Sequence, residues 1–170
     1  SRYKFWSNIL SWRIKVKMEK FASLNVGNTF FSTTSVSKKE LDGYLGFSRI
    51  KNTMFEIDSG KNEAKMVSGR AIISRMEGEF TRLRQIYGNL ITLYGIDGDT
   101  DWENRQTRFV KPLYTDEVMK IKFTISDKKE LDDEFGLIAV DYEGLDREGN
   151  TIVTSKKNLD RIKKNPPSNL

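Results

Sequence analysis

The pattern of apolar and polar residues predicts one amphipathic helix near the middle of the chain. Apolar residues recur there at three- and four-residue intervals, which is typical of a helix that buries one face. They are Ile72, Ile73, Met76, Phe80, Leu83 and Tyr87. Charged residues lie on the flanks of this stripe, and Gly88 or Asn89 is expected to end the helix. We therefore interpret the stripe as part of the hydrophobic core.

Strand patterns lie on both sides of this helix. Residues 27–36 alternate β-branched and aromatic residues before it, which is typical of a strand. The candidate strands after it cover residues 89–96, 105–114, 117–126, 135–145 and 150–159. No helical pattern separates them, and the turn DREGN places Gly149 where a left-handed backbone is favoured. A long central helix followed by consecutive strands predicts an α+β fold, with an antiparallel sheet wrapped on the helix.

A shorter helix is predicted between the first strand and the central helix. Ser37 is followed three residues later by Glu40, a spacing typical of a capping box at a helix N-terminus. The apolar residues that then fall on one face are Leu41, Tyr44 and Leu45. This second amphipathic segment is expected to pack against the same core.

The composition restricts the chemistry available to the chain. It has 170 residues, 37% of them hydrophobic and 31% charged, which is typical of one globular domain. There is no cysteine and no histidine, which excludes disulfides, thiolate nucleophiles and imidazole acid–base groups. Catalysis would have to use carboxylates, lysine, tyrosine, hydroxyls or backbone groups, and no metal site or cofactor is predicted. We expect one domain at residues 18–165, an N-terminal extension at 1–17 and a C-terminal tail at 166–170.

The net charge of +5 is concentrated in the N-terminal extension. Residues 1–17 contain five basic residues and no acidic one, so the rest of the chain is neutral and specific nucleic-acid binding is not expected. Three interpretations of the extension stay open: a membrane-surface helix, a helix docked on the domain, or a segment upstream of a start at Met18.

A second basic cluster lies near the C-terminus and is interpreted as a solvated tail. Its residues are Lys156, Lys157, Arg161, Lys163 and Lys164. No apolar run is long enough to span a bilayer, so a cytoplasmic location is expected.

Residues 108–122, with the sequence RFVKPLYTDEVMKIK, carry the first of two motifs that resemble a known family. The residues of an Arg-Phe-x-x-Pro pattern are Arg108, Phe109 and Pro112. A turn at Asp116 and Glu117 then leads into an alternating strand. The segment resembles the MaoC-like (R)-specific enoyl-CoA hydratases and dehydratases, which have the hot-dog fold. The family has Gly-Asp at this turn, and an aspartate can adopt the left-handed backbone at some energetic cost.

The second motif lies at the start of the central helix, where the family pattern is Gly-Arg-x-Ile-x-His-Gly-Met. The residues that match it are Gly69, Arg70, Ile72 and Met76. Ser74 and Arg75 replace the His-Gly pair. The resemblance implies a hot-dog fold, in which a long central helix is wrapped by a curled antiparallel sheet.

Upstream of that helix the family signature is Asp-x-Asn-Pro-x-His-x-Asp, and Asp58 aligns with its last residue. In this register the catalytic Asp position holds Lys51, the Asn position holds Thr53 and the catalytic His position holds Glu56. Hydration of an enoyl thioester needs an acid, a base, and donors that face the thioester oxygen. A nearby lysine would lower the pKa of Glu56 and make it a poorer base. The resemblance therefore implies weak or no hydratase activity, with Lys51 and Glu56 forming an ion pair.

The resemblance also implies a ligand and a partner. The expected ligand is an acyl thioester of coenzyme A, bound without a further cofactor. The residues expected to contact it are Thr53, Asp58, Ser74, Arg75 and Met76. Members of the family pair their sheets edge to edge, so we expect a homodimer or a heterodimer with an active hot-dog subunit.

Two other hypotheses stay open. In the first, the chain is an active hydratase or thioesterase that uses a carboxylate: Glu56, or Glu77 or Glu79 of the central helix. In the second, it is a non-enzymatic binding module whose basic termini contact anionic partners. Residues 95–103 hold four acidic side chains, which we interpret as an acidic turn because the remaining ligand positions of an EF-hand loop are missing.

Overall fold

The structure is a computed structural model that describes residues 20–56, 63–87, 91–93 and 106–164. Within these residues the helices are α1 (Lys20–Ser23), α2 (Lys38–Ser48), α3 (Thr53–Glu56) and α4 (Gly69–Arg82). The strands are β1 (Thr29–Thr34), β2 (Ile91–Leu93), β3 (Gln106–Phe109), β4 (Met119–Glu130), β5 (Phe135–Leu145) and β6 (Thr151–Lys163). The predicted α+β class, a central helix with a curled antiparallel sheet, is confirmed.

The sheet has the strand order β1-β4-β5-β6-β2, and its pairings are antiparallel. β6 carries two partners on its outer side. β2 pairs with its C-terminal half, where Ile91 faces Ile162, and β3 pairs with its N-terminal half, where Phe109 faces Val153. The edges of the described sheet are therefore β1 on one side and β2 with β3 on the other.

The core lies between α4 and one face of the sheet. The predicted alternation in β4 is confirmed, because every second residue from 119 to 125 is buried. These buried residues are Met119, Ile121, Phe123 and Ile125. The rings of Phe80, Phe123 and Tyr142 pack on one another with centroids 5.1 to 5.8 Å apart, which fixes α4 against two neighbouring strands.

Helix α4 is shorter than its apolar stripe predicts. It ends at Arg82, and the expected end at residues 88–89 is wrong. Leu83 has an extended backbone, with ψ of 137°, which interrupts the helical period. Beyond Leu83 the predicted burial of Tyr87 is wrong, because Tyr87 is 72% exposed while its neighbour Ile86 is fully buried in the core. Helical spacing predicts burial only as far as helical dihedral angles continue.

Helix α2 confirms the predicted capping box. The Ser37 hydroxyl accepts from the Glu40 N–H at 3.1 Å, and a Glu40 carboxylate oxygen accepts from the Ser37 N–H at 3.1 Å. The side chains on its inner face are Leu41, which is buried, and Tyr44 and Leu45, which are partly buried. Arg49 follows the helix in a left-handed conformation, with φ of 59°, and turns the chain towards α3.

Two further turns have the backbone that the sequence predicts. Gly149, between β5 and β6, has φ of 85°. Asp116, before β4, has φ of 67°, so an aspartate does occupy the left-handed position that is glycine in the family. Its N–H donates to the Val36 carbonyl at 2.8 Å, which stabilises the turn.

The basic residues near the C-terminus belong mainly to β6, which extends to Lys163. The prediction that they form a solvated tail is wrong. The Arg161 guanidinium lies over the Phe135 ring at 3.9 Å from its centroid, and the Lys164 ammonium pairs with Glu130 at 2.9 Å. These side chains therefore contribute to the packing and pairing of the sheet's outer surface.

Three segments with predicted roles lie outside the described residues: 1–17, 95–103 and 166–170. The domain boundaries, the roles of the extension and the acidic turn therefore stay predictions. Among the helices that the structure describes, none combines the length and the apolar character needed to cross a membrane.

Candidate functional site

The candidate site is an apolar cavity of about 640 Å³ at the N-terminal end of α4. Both sequence motifs contribute to it. Gly69, Arg70 and Ile72 of the helix motif lie on one side, and Phe109 and Pro112 of the strand motif lie on the other. The other apolar lining residues include Ile50, Met54, Phe55, Val67, Val110 and Leu113. The fold thus brings together two motifs that are distant in the sequence.

Main-chain hydrogen bonds hold the two motifs side by side. The Val67 N–H donates to the Leu113 carbonyl at 2.8 Å, and the Thr115 N–H donates to the Lys65 carbonyl at 2.8 Å. These bonds belong to a short antiparallel bridge between the segment before α4 and the segment after β3. The start of the helix is therefore fixed relative to the opposite wall of the cavity.

Helix α4 presents its N-terminus to the cavity. Ser68 is 2% exposed and caps the helix, since its hydroxyl accepts from the Ala71 N–H at 3.3 Å. The N–H groups of Gly69 and Arg70 belong to the first turn and have no acceptor within the helix. Together with the positive end of the helix dipole, they favour a carbonyl oxygen or an anion at this end of the cavity.

The contact between Gly69 and Phe109 requires glycine. A Cβ atom on residue 69 would lie 2.5 Å from Cζ of the Phe109 ring, well inside van der Waals contact. Because this atom is missing, the ring can lie over the start of the helix and close one wall. Phe109 is 49% exposed, so its outer side faces away from the cavity.

Two cations lie at the rim of the cavity, Arg70 and Lys111. The Lys111 ammonium donates to an Asp146 carboxylate oxygen at 2.5 Å. This hydrogen bond raises the pKa of Lys111, and with the N–H of Asn150 it lowers the pKa of Asp146 to about 2. Both members of the pair are ionised at neutral pH, and their charges offset each other at the rim.

Lys51 and Thr53, two of the predicted site positions, do not line this cavity. Lys51 is exposed in the segment between α2 and α3, where it lines a neighbouring groove. Thr53 is exposed at the start of α3, and Glu56 is the last residue of that helix. The Glu56 side chain and Asp58 lie outside the described part, so the ion pair between Lys51 and Glu56 stays a prediction.

The three predicted contacts on α4 lie farther along the helix, away from the cavity. Met76 is fully buried in the core. Ser74 and Arg75 line a different groove between α2 and α4, here called the α2–α4 groove, whose lining also includes Glu40 and Glu79. A role of these three residues in ligand binding stays a prediction.

Arg75 links three elements. Its guanidinium pairs with Glu40 of α2 and donates to the Thr34 hydroxyl at 3.2 Å and to the Ser35 carbonyl at 2.9 Å. The residue that replaces glycine in the family motif therefore ties α4 to α2 and to the end of β1. This arrangement explains how an arginine is accommodated on the central helix.

Neither glutamate that the thioesterase hypothesis invokes lines the cavity. A Glu79 carboxylate oxygen accepts from the Ser32 hydroxyl at 2.8 Å, and this residue lines the α2–α4 groove. Glu77 is half-buried and lines neither space. In the described part of the chain, no group of acidic side chains is arranged to hold a metal ion.

Several residues of the cavity wall were not predicted from the sequence as site residues, and they include four apolar ones. These four are Ile50, Met54, Phe55 and Val110. For Ile50, Met54 and Phe55 the signal was present as apolar residues within an otherwise polar segment. Met54 and Val110 are each 56% exposed and, with the half-exposed Phe109, border the same cavity, so their exposed apolar surface is grouped at one place.

Solved structures with the same architecture identify the fold. A monoamine oxidase regulatory protein from Archaeoglobus fulgidus superposes with a TM-score of 0.67 at 14% identity, covering 86% of this chain and 95% of that one. The chain has the hot-dog fold. An (R)-hydratase from A. caviae involved in PHA biosynthesis gives a TM-score of 0.58 at 14% identity, over 85% and 98% of the two chains. A MaoC-like dehydratase from Rhodospirillum rubrum gives 0.59 at 13% identity, over 84% and 95%.

Comparison of the sequence with known proteins does not assign the chain to a family. No protein-family model matches the chain, and no curated protein matches its sequence. At the low identities of the structural neighbours, the likeness establishes the hot-dog architecture. The function has to be argued from the cavity and the residues around it.

Proposed function

We propose that this chain is a MaoC-like protein that binds an acyl thioester of coenzyme A and has little or no hydratase activity. The observation that carries the proposal is the apolar cavity at the N-terminus of α4, lined by both motifs that resemble the family. The fold shared with an (R)-hydratase and a MaoC-like dehydratase supports it.

The cavity suits both parts of an acyl thioester. Its lining is mostly apolar, which favours a hydrocarbon chain over water. The first-turn N–H groups of Gly69 and Arg70 are suited to donate to the thioester oxygen, and the helix dipole adds to this stabilisation. An acyl chain lying along Ile72 and Leu113 would use the apolar wall at the same time.

The acid–base pair of a hydratase is missing from this chain. The chain contains no histidine, and the positions aligned with the family's pair hold Lys51 and Glu56. Lys51 lines a groove next to the cavity and is exposed. A ligand bound in the cavity would thus meet oxyanion donors without a matched acid and base, so binding is expected without efficient hydration.

We also propose that the chain pairs with a second hot-dog subunit, either a copy of itself or an active relative. All four residues of β3 are exposed, and this strand pairs with β6 along one edge. Phe109 and Val110 expose apolar surface beside the cavity. An exposed strand edge with apolar side chains favours pairing with another chain. A catalytic partner would supply the missing Asp and His.

Isothermal titration calorimetry with butyryl-CoA tests the binding site. We expect Val110→Trp, which adds a large ring at the cavity wall, to weaken the affinity by about tenfold or more. The matched control is Val26→Trp, because Val26 is 59% exposed in the turn before β1 and does not line the cavity. No binding to the unmodified chain, or an equal loss in both variants, would contradict the proposal.

Hydration of crotonyl-CoA tests the expected lack of catalysis. We expect the purified chain to hydrate this substrate no faster than its Glu56→Gln variant does. Hydration that is fast in the unmodified chain and lost in Glu56→Gln would instead show a hydratase with a single carboxylate. Because the assay is independent of the calorimetry, binding and catalysis can be judged separately.

A further inference from the structure

A second groove shares a wall with the apolar cavity. This space, here called the cationic groove, has a volume of about 540 Å³ and lies between the end of α2 and the segment that leads to α3. Ile50 and Phe55 line both spaces. The two side chains thus lie between an apolar compartment and a polar one.

Three basic side chains line the cationic groove: Arg49, Lys51 and Lys65. One carboxylate, Asp42, lies 3.8 Å from the Lys65 ammonium and offsets one of these charges. Arg49 and Lys51 are exposed, and no described residue forms an ion pair with either of them. The groove therefore carries an excess of positive charge in a concave space.

The backbone places these cations together. Helix α2 ends at Ser48, and the left-handed conformation of Arg49 turns the chain at once. Lys65 approaches from the segment before α4, where its N–H donates to the Thr115 hydroxyl at 3.0 Å. The same segment continues into the wall of the apolar cavity, so the positions of groove and cavity are coupled through main-chain bonds.

We propose that the cationic groove binds a phosphate group of the same ligand whose acyl chain occupies the apolar cavity. This inference rests on the proposed function. Arginine and lysine bind phosphate through charge-assisted hydrogen bonds, and an uneven charge in a concave site strengthens them. An apolar compartment and a cationic compartment on either side of one wall match an acyl group joined to a phosphorylated pantetheine arm. Lys51 is thus a phosphate-binding residue at the position of the family's catalytic aspartate.

Three ligands with the same acyl chain distinguish the sources of the phosphate. They are butyryl-pantetheine, which has no phosphate, butyryl-4′-phosphopantetheine, and butyryl-CoA. A gain in affinity at the second ligand shows that the groove binds the pantetheine phosphate. A gain only at the third shows that it binds the phosphates of the nucleotide. Either gain is expected to be about tenfold at low salt and to shrink as salt is added.

The variant Arg49→Gln/Lys51→Gln tests which residues carry this gain. We expect it to bind butyryl-CoA about tenfold more weakly and butyryl-pantetheine unchanged. The matched control is Arg84→Gln, because Arg84 is an exposed cation beyond the opposite end of α4. This control is expected to bind all three ligands like the unmodified chain.

The outcomes separate this inference from the proposed function. Equal affinities for the three ligands, or a double variant that binds butyryl-CoA normally, would overturn the cationic groove as a phosphate site while leaving the acyl cavity intact. Failure of all three ligands to bind would overturn the proposed function and this inference together. Equal losses of butyryl-pantetheine and butyryl-CoA in the double variant would assign Arg49 and Lys51 a role in folding the cavity, which also contradicts the inference.

Discussion

The apolar cavity and the α2–α4 groove have nearly the same volume, about 640 and about 650 Å³, and both lie against α4. They differ in what surrounds them. The cavity is lined mainly by hydrocarbon groups, and the helix N–H groups at its end have no acceptor within α4. In the α2–α4 groove, Arg75 and Glu79 already have partners among neighbouring side chains. Volume alone therefore does not distinguish a binding site from a gap between packed elements.

The α2–α4 groove is better explained as a joint between elements. Arg75 connects α4 with α2 and with the end of β1, and the Ser32 hydroxyl connects β1 with Glu79 of α4. A ligand would have to break these contacts to reach the same groups. At the cavity, the first-turn N–H groups have no acceptor within the helix, so a ligand can accept from them without breaking a helical hydrogen bond. The cavity is therefore the better candidate for a ligand site.

Arg75→Met provides the strongest test of this comparison. We expect the free energy of unfolding to fall by about 2 kcal/mol, because the variant leaves Glu40 and the Ser35 carbonyl without a charged donor. Affinity for butyryl-CoA should stay unchanged. Urea denaturation and calorimetry measure the two quantities. Arg82→Met, an exposed position in the same groove, serves as the control and should change stability by about 0.5 kcal/mol or less. Lost affinity with unchanged stability would show that the groove binds the ligand.

Two glycine variants on α4 are expected to change the stability of the fold by an intermediate amount. Gly69→Ala should destabilise the fold by about 1 kcal/mol, because its methyl group would displace the Phe109 ring, and it should weaken binding of butyryl-CoA. Gly78→Ala should stabilise the helix by about 0.5 to 1 kcal/mol, since a methyl group there has open space around it. Thermal unfolding compares the two. A gain in stability in both variants would mean that the ring moves without cost.

Acidification is expected to have the smallest effect on the stability of the fold. The Ser37 N–H, followed by Arg75, lowers the pKa of Glu40 below its usual value of 4.5. A carboxylate with a lowered folded-state pKa stabilises the fold above its usual pKa, and this contribution is lost as the pH falls through the folded-state pKa. We therefore expect the unmodified chain to lose stability below about pH 4.5, and Glu40→Gln to lose less over that range. Equal acid sensitivity of the two proteins in urea titrations would contradict the role of Glu40.

Asp146, which pairs with Lys111 at the rim of the cavity, is expected to affect stability at a lower pH than Glu40 does. Its pKa of about 2, against a usual 3.8, means that its contribution is present above pH 3.8 and is lost towards pH 2. In Lys111→Gln the folded-state pKa of Asp146 should rise but stay below 3.8, because the N–H groups of Asn150 and Glu148 still donate to it. A titration followed by NMR measures this shift, and an unchanged pKa would show that Lys111 does not pair with Asp146 in solution.

Local signals in the sequence predicted the elements whose causes are local. Ser37 and Glu40 lie within one helical turn of each other, so their capping box could be anticipated from spacing. The alternation that ends at Ile125 predicted β4 because one face of a strand points to the core. The end of α4 was not predictable in this way, since Leu83 leaves the helix although leucine favours helices.

The candidate site, in contrast, depends on contacts between segments that are far apart in the sequence. The family motifs contain residues that line the cavity, such as Gly69 and Phe109, but the catalytic and contact positions inferred from the resemblance did not include Met54, Phe55 or Val110. No periodic pattern marks these residues, because Met54 and Phe55 belong to the four-residue helix α3 and Val110 directly follows the end of β3. Their proximity arises from the bridge between the segments before α4 and after β3.

The sequence by itself determined the capped start of α2, the alternating strand β4 and the apolar face of α4 as far as Phe80, because these properties depend on neighbours within a few residues. It also excluded catalysis by histidine or cysteine, which is a matter of composition. Only the tertiary structure decided that Phe109 closes over Gly69, that Arg75 is held by Glu40, and that a cationic groove adjoins the apolar cavity. These contacts join residues far apart in the chain, and their formation depends on how the sheet and α4 pack together.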